Sequence, residues 1–173
     1  MYSTYSAALL GPAGGFKNDM LAIEKKKQAQ RLQAGGAFEK ALPLMLKSVA
    51  LREQSHTLCL SLSELGELYL DMLKFKEAET AARRMLEEAH RYNAGQQTRI
   101  ANEILQHSAA EKDLGLVHGM VVQLHNLQQR KELNGEVGTI RGRLRANGRY
   151  YVDVVSARCL VRRECFFLTE SLQ

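Results

Sequence analysis

Arg141, Arg143 and Arg145 stand at alternate positions near the end of the chain. On an extended strand that spacing puts all three guanidinium groups on one face, with Ile140, Gly142 and Leu144 turned the other way. Arg149 follows at the next turn, and Arg162 and Arg163 can join the same patch. Arginine forks grip carboxylates and phosphates equally well. The patch therefore suits an acidic protein surface, an acidic tubulin-like tail or RNA phosphates. A solvated strand face with no partner has the same sequence signature.

Other chemistry-bearing residues do not assemble into a recognisable site. His118, His125, Cys159 and Cys165 match no zinc-ligand spacing, and His56 with Cys59 has no second pair. No phosphate loop, nucleophile elbow or dinucleotide fingerprint is present. Glu87-Glu88 reads as a helix surface pair. The expectation is a protein that is not an enzyme, with no catalytic residues, no metal site and no cofactor.

The patch has to be carried by something, and charge and glycine show where. Of 24 basic and 19 acidic residues in 173, positions 1–118 hold 15 and 14, while positions 119–173 hold 9 and 5. The net charge of +5 is thus concentrated in the last third. Gly119, Gly135, Gly138, Gly142 and Gly148 crowd the same stretch. The 45% hydrophobic and 25% charged residues fit a folded chain. No run approaches the roughly 18 apolar residues of a membrane span. Three cysteines and no secretory signal point to a reducing, cytoplasmic setting. The first residues contain no arginine, which argues against mitochondrial import.

Up to about residue 112 the pattern is helical. Gly35-Gly36 stops a first helix that runs from Asp19. Phe38, Ala41, Leu42 and Met45 line a second, with Pro43 expected in its opening turns. Leu58, Leu62, Leu65 and Tyr69 line a third. Phe75, Ala78, Ala82, Met85 and Leu86 line a fourth after a turn at Leu73-Lys74, and a fifth runs from Gln96 to Lys112 with Ile100, Ile104 and Leu105 inward. The unit Gly36-Ala37-Phe38-Glu39-Lys40-Ala41 recurs 37 residues later as Leu73-Lys74-Phe75-Lys76-Glu77-Ala78. Leu65-Gly66 with Tyr69 supplies the small residue and aromatic of the preceding helix. Over residues 20–112 this resembles the tetratricopeptide repeat in its kinesin-light-chain form. The resemblance implies a concave face lined by the first helix of each pair, offering Lys26, Gln30, Ser63, Glu67 and Asn102 to a peptide.

Beyond Gly119 the pattern turns to short strands. Met120 to Leu124 is a valine-rich run, Asn134-Gly135 and Asn147-Gly148 are turn signals, and Tyr150, Val152 and Val154 alternate with Tyr151 and Asp153. Cys159-Leu160-Val161 and Phe166-Phe167-Leu168 complete five strands, enough for a small barrel without open edges. Leu124-His125-Asn126-Leu127, Leu133-Asn134-Gly135-Glu136-Val137-Gly138 and Gly148-Arg149-Tyr150-Tyr151-Val152 follow one order and spacing. Over residues 119–169 this resembles the SH3-like barrel module found in MYND-finger and ankyrin interaction proteins.

The expected layout is α+β and multidomain: an arm over 1–18, tetratricopeptide-like repeats over 19–114, an SH3-like β-barrel over 119–169, and a tail over 170–173. The function expected is a scaffold that meets protein partners in a larger assembly, by analogy cytoskeletal or ciliary and microtubule-associated. The alternative is an RNA-binding subunit of a ribonucleoprotein particle using the basic barrel face.

Overall fold

The computed structural model describes residues 13–112, 115–144 and 148–169. Five helices come first: α1 (Ala13–Ala34), α2 (Phe38–Leu51), α3 (Leu58–Asp71), α4 (Phe75–Arg91) and α5 (Gly95–Lys112). Strands β1 (Val121–Leu124), β2 (Val137–Leu144), β3 (Arg149–Val154), β4 (Arg158–Val161) and β5 (Phe166–Leu168) follow, with 3-10 turns at Lys131–Leu133 and Arg163–Cys165. The α+β layout expected from periodicity is present. Of the expected arm, residues 1–12 lie outside the described residues. The first helix starts at Ala13 rather than Asp19, taking in Gly14 and Gly15.

Helix ends explain the repeat. Three of them close with a backbone N–H donating to the carbonyl five residues back: Ala37 to Leu32 (2.8 Å), Lys74 to Tyr69 (2.9 Å) and Ala94 to Ala89 (2.8 Å). Such a closure needs a left-handed residue just before the donor. Gly36, Leu73 and Asn93 fill that position with φ of 72°, 57° and 51°. Pro43 sits further inside α2 than the sequence suggests, since the ladder already begins with the Ala41 N–H on the Ala37 carbonyl.

Helices pack in order, α1 on α2, α2 on α3, α3 on α4, α4 on α5, with α3 also touching α1 and α5. Buried Phe38, Met45, Leu58, Leu62, Leu68 and Met85 fill the space between them. A buried polar chain pins α1 at its start. Arg52, 2% exposed, donates to Asp19 Oδ1 (3.1 Å) and Ser61 Oγ (3.0 Å), while Thr57 Oγ1 donates to Asp19 (2.6 Å).

The sheet is antiparallel throughout, in the order β4-β3-β2-β1-β5. Among the described residues its pairing is open, with β4 and β5 as edge strands, so the barrel without open edges expected from the strand count is not formed: β4 and β5 do not pair with each other. One face buries Val122, Leu124, Ile140, Tyr150, Val152 and Phe166 together with Leu70, Leu73, Phe75 and Ile104 from the helices. Tyr151, with half-buried Leu144 and Leu160, joins the helical core instead. The sheet is therefore seated on the helices by two shared apolar contacts. Gly142 marks one close approach: a Cβ there would lie 2.5 Å from both the Asp71 carbonyl and the Phe38 ring.

Candidate functional site

The polar residues expected along the helical groove are in part used between helices. Lys26 Nζ lies 3.1 Å from Glu64 Oε1 and Gln30 Nε2 donates to Glu64 Oε2 at 2.7 Å, so α1 and α3 are bridged through one carboxylate. Gln33 repeats the bridge one turn on, donating to Asp71 Oδ2 at 2.6 Å. Ser63 Oγ donates to the Leu60 carbonyl of its own helix at 3.0 Å. Glu67 is half-buried on α3, and Asn102 is exposed on α5. Lys26 and Gln30 are thus brought together on Glu64, a residue the sequence pattern did not single out.

The arginines divide into two groups. The register of β2 against β3 shifts between Ile140 and Gly142, which breaks the simple alternation assumed for this strand. Arg141 Nε donates to Asp153 Oδ2 on β3 at 3.0 Å. Arg143 reaches the other way, 2.7 Å from Glu111 on α5, and its guanidinium lies 5.8 Å from the Tyr150 ring centroid. Arg143 thereby ties the sheet to the last helix. Arg163 folds back, donating to the Phe166 carbonyl at 3.0 Å and stacking over that ring. Arg145 lies outside the described residues.

Arg149 and Arg162 have a different setting. They line a cleft of about 490 Å³ between the loop Asn126–Leu133 on one side and β4 with the following 3-10 turn on the other. Arg130 and Arg158 line it too, against a single acidic side chain, Glu164. Leu127, Leu133 and Leu160 supply apolar walls. Arg130 and Arg158 were not among the sequence candidates. The signal for Arg158 was available, because it precedes Leu160 and Arg162 at alternating positions on the strand already recognised around Cys159-Leu160-Val161.

Electrostatics favour an anion here. Asp153 is shared by Arg158 (2.5 and 3.0 Å) and Arg141, one carboxylate between two guanidinium groups. The Arg158 hydrogen bond leads in holding the Asp153 carboxyl below its ordinary range, with Arg141 adding to it. Arg158 also donates to the Gly36 carbonyl at 2.7 Å, which anchors it to the helical body. Arg130 pairs with Glu132 and Arg162 with Glu164 (3.7 Å), both as exposed pairs that exchange at little cost. Cys159 and Cys165 also border the cleft, and burial pushes the Cys159 thiol up.

Among the described residues, no three or more His, Cys, Asp or Glu side chains converge as a metal ion would require. No helix among them is long and apolar enough to cross a membrane. Compared with protein-family models, curated proteins and solved structures, the chain matches none.

Proposed function

We propose that this chain is a non-enzymatic adaptor in which a short tetratricopeptide-like array carries a small SH3-like module, and that it docks acidic segments of protein partners. The observation that carries the reading is the cleft beside β4, where Arg130, Arg149, Arg158 and Arg162 outnumber the carboxylates beside them, Glu132, Asp153 and Glu164, between leucine walls. A surface of that make-up recognises carboxylates through arginine forks while leucines exclude water around them.

Two features support the architectural part. The same helix-closing turn recurs at Gly36 and Leu73, at the spacing of the sequence repeat. Five short antiparallel strands in the order β4-β3-β2-β1-β5, following the helices, support a small separate β module. Acidic tails of the tubulin type are one partner class with the right charge, and a cytoskeletal or ciliary assembly is the setting we favour.

A titration tests the reading directly. A fluorescent glutamate-rich tail peptide and a single-stranded RNA of equal length are titrated at two salt concentrations into the wild-type chain and into Arg130→Ser/Arg162→Ser. Peptide binding that falls about tenfold in the double variant supports the adaptor. RNA binding that is tighter than peptide binding, steeply salt-dependent and lost in the same variant turns the assignment to the ribonucleoprotein alternative.

A further inference from the structure

The cleft contains more than charge, because one wall of it is the open edge of β4. Val154 and Ala157 exchange both backbone hydrogen bonds (2.9 and 3.3 Å) at the turn between β3 and β4. In an antiparallel ladder such mutually bonded pairs alternate with unbonded ones. The register Val152↔Cys159, Tyr151↔Leu160, Asp153↔Arg158 then makes Cys159 a bonded partner of β3 and leaves Arg158 and Leu160 in unbonded pairs. The N–H and C=O of Arg158 and Leu160 consequently point away from β3. Among the described residues β4 has no second neighbour in the sheet, and residues 158–162 line the cleft without interruption.

Side chains set a second rule. Arg158 is exposed, Cys159 buried, Leu160 half-buried and Val161 buried, so Arg158 and Leu160 share a face. Arg162 continues in extended conformation (φ −79°, ψ 159°) and is exposed on the same side of the alternation. The order along this face is cation, leucine, cation.

We infer that the occupant of the cleft is an extended segment of an acidic partner that adds to β4 as an antiparallel strand. Its central residue pairs with Leu160 through two main-chain hydrogen bonds. Its side chain at position i is a carboxylate opposite Arg162 and the side chain at i+2 is apolar opposite Leu160, while Arg158 stays on Asp153 and the Gly36 carbonyl. The pattern is acid-x-apolar. Arg130, on the far wall, meets the partner's remaining backbone or side-chain oxygens. This inference rests on the adaptor reading and adds to it a binding mode and a sequence pattern. An RNA strand has the charge but lacks the peptide main chain whose N–H and C=O groups alternate at the spacing of the β4 edge.

The test uses the wild-type chain, so that folding of a variant is not in question. The probe is a blocked, fluorescein-labelled peptide in which threonines alternate with Glu and Val. Two derivatives carry a single N-methyl group, one on the valine amide and one on the neighbouring threonine amide. In the proposed register the valine N–H faces β4 and the threonine N–H faces away. Anisotropy titrations are expected to show binding of the parent, at least a tenfold loss for the valine derivative, and less than a threefold loss for the threonine derivative.

Equal binding of all three peptides overturns strand addition. If that binding is still lost in Arg130→Ser/Arg162→Ser, acidic docking itself survives. No binding of any acidic peptide removes both readings. Displacement of the parent peptide by an oligouridine at lower concentration than by unlabelled peptide also overturns the inference.

Discussion

The ring of Tyr151 on β3 occupies the space where a side chain on Gly36 would begin, 2.5 Å from the position of its Cβ. Gly36 is also left-handed (φ 72°), where residues with a Cβ are strained. The turn that ends α1 is therefore shaped at once by its own backbone and by the sheet resting on it. Gly36→Ala is expected to lower stability by about 2–3 kcal/mol in denaturant unfolding, more than the roughly 1 kcal/mol that a left-handed backbone alone costs. Tyr151→Phe removes only the long 3.4 Å bond to the Ala34 carbonyl and should cost well under about 1 kcal/mol. A loss at Gly36 no larger than the backbone value would mean that the sheet does not bear on this turn.

The two groups of arginines should separate experimentally. Arg143 and Glu111 are largely buried, 22% and 11% exposed, at the junction of β2 with α5. Removing one partner strands a charge, so Arg143→Ser and Glu111→Gln are each expected to destabilise by about 2 kcal/mol, with a double-mutant coupling near 1 kcal/mol or above. Arg162→Ser should leave stability unchanged and weaken binding of acidic peptide. Measuring unfolding and peptide affinity on the same variants checks both. Loss of affinity in Arg143→Ser at unchanged stability would return Arg143 to the binding surface.

Acid should loosen the start of the helical array. Burial raises the Asp19 carboxyl, but hydrogen bonds from Thr57 and Arg52 outweigh that and leave it below its ordinary value. A carboxylate depressed in the folded state stabilises at pH above its unfolded value and loses that contribution as pH falls through the folded one. Asp153, depressed chiefly by the Arg158 hydrogen bond, follows the same sign at the sheet. Midpoints of thermal unfolding should therefore fall between about pH 5 and pH 2, and Asp19→Asn should flatten that dependence. At pH 7 the same variant leaves Arg52 buried without its counter-charge and should lose about 2 kcal/mol. A pH profile identical to that of the wild type would show that Asp19 is not held as an ion.

Much of the helical part was legible because one periodic stripe fixes one buried face. Phe38, Ala41 and Met45, or Phe75, Ala78, Ala82 and Met85, are buried as their spacing requires. The five strand segments were legible for a similar reason, since turn glycines bracket alternating valines and tyrosines. The arginine patch was harder to read. Alternation along β2 holds only while the register is continuous, and the shift at Ile140 and Gly142 sends Arg141 to Asp153 and Arg143 to Glu111. Those carboxylates come from another strand and a distant helix, which no local pattern encodes. The cleft was hidden likewise, because it joins the 126–133 loop to β4, and the unpaired side of β4 follows from the pairing of the whole sheet.

Leu73 and Asn93 occupy equivalent left-handed positions after α3 and α4, at φ 57° and 51°, yet their substitutions should differ in sign. Glycine removes the backbone strain at either site. At Asn93 nothing opposes that gain, since residue 93 is exposed, and Asn93→Gly is expected to be neutral or to stabilise by a few tenths of a kcal/mol. Leu73 is 4% exposed and packs in the cluster shared with Val122, Ile140 and Phe166 of the sheet. Leu73→Gly therefore loses about 2–4 kcal/mol of apolar burial, which exceeds the roughly 1 kcal/mol of strain it relieves. Denaturant unfolding of the two variants side by side checks the contrast. A Leu73→Gly chain as stable as the wild type would show that the helix-to-sheet contact contributes little, and that the left-handed turn alone sets the repeat.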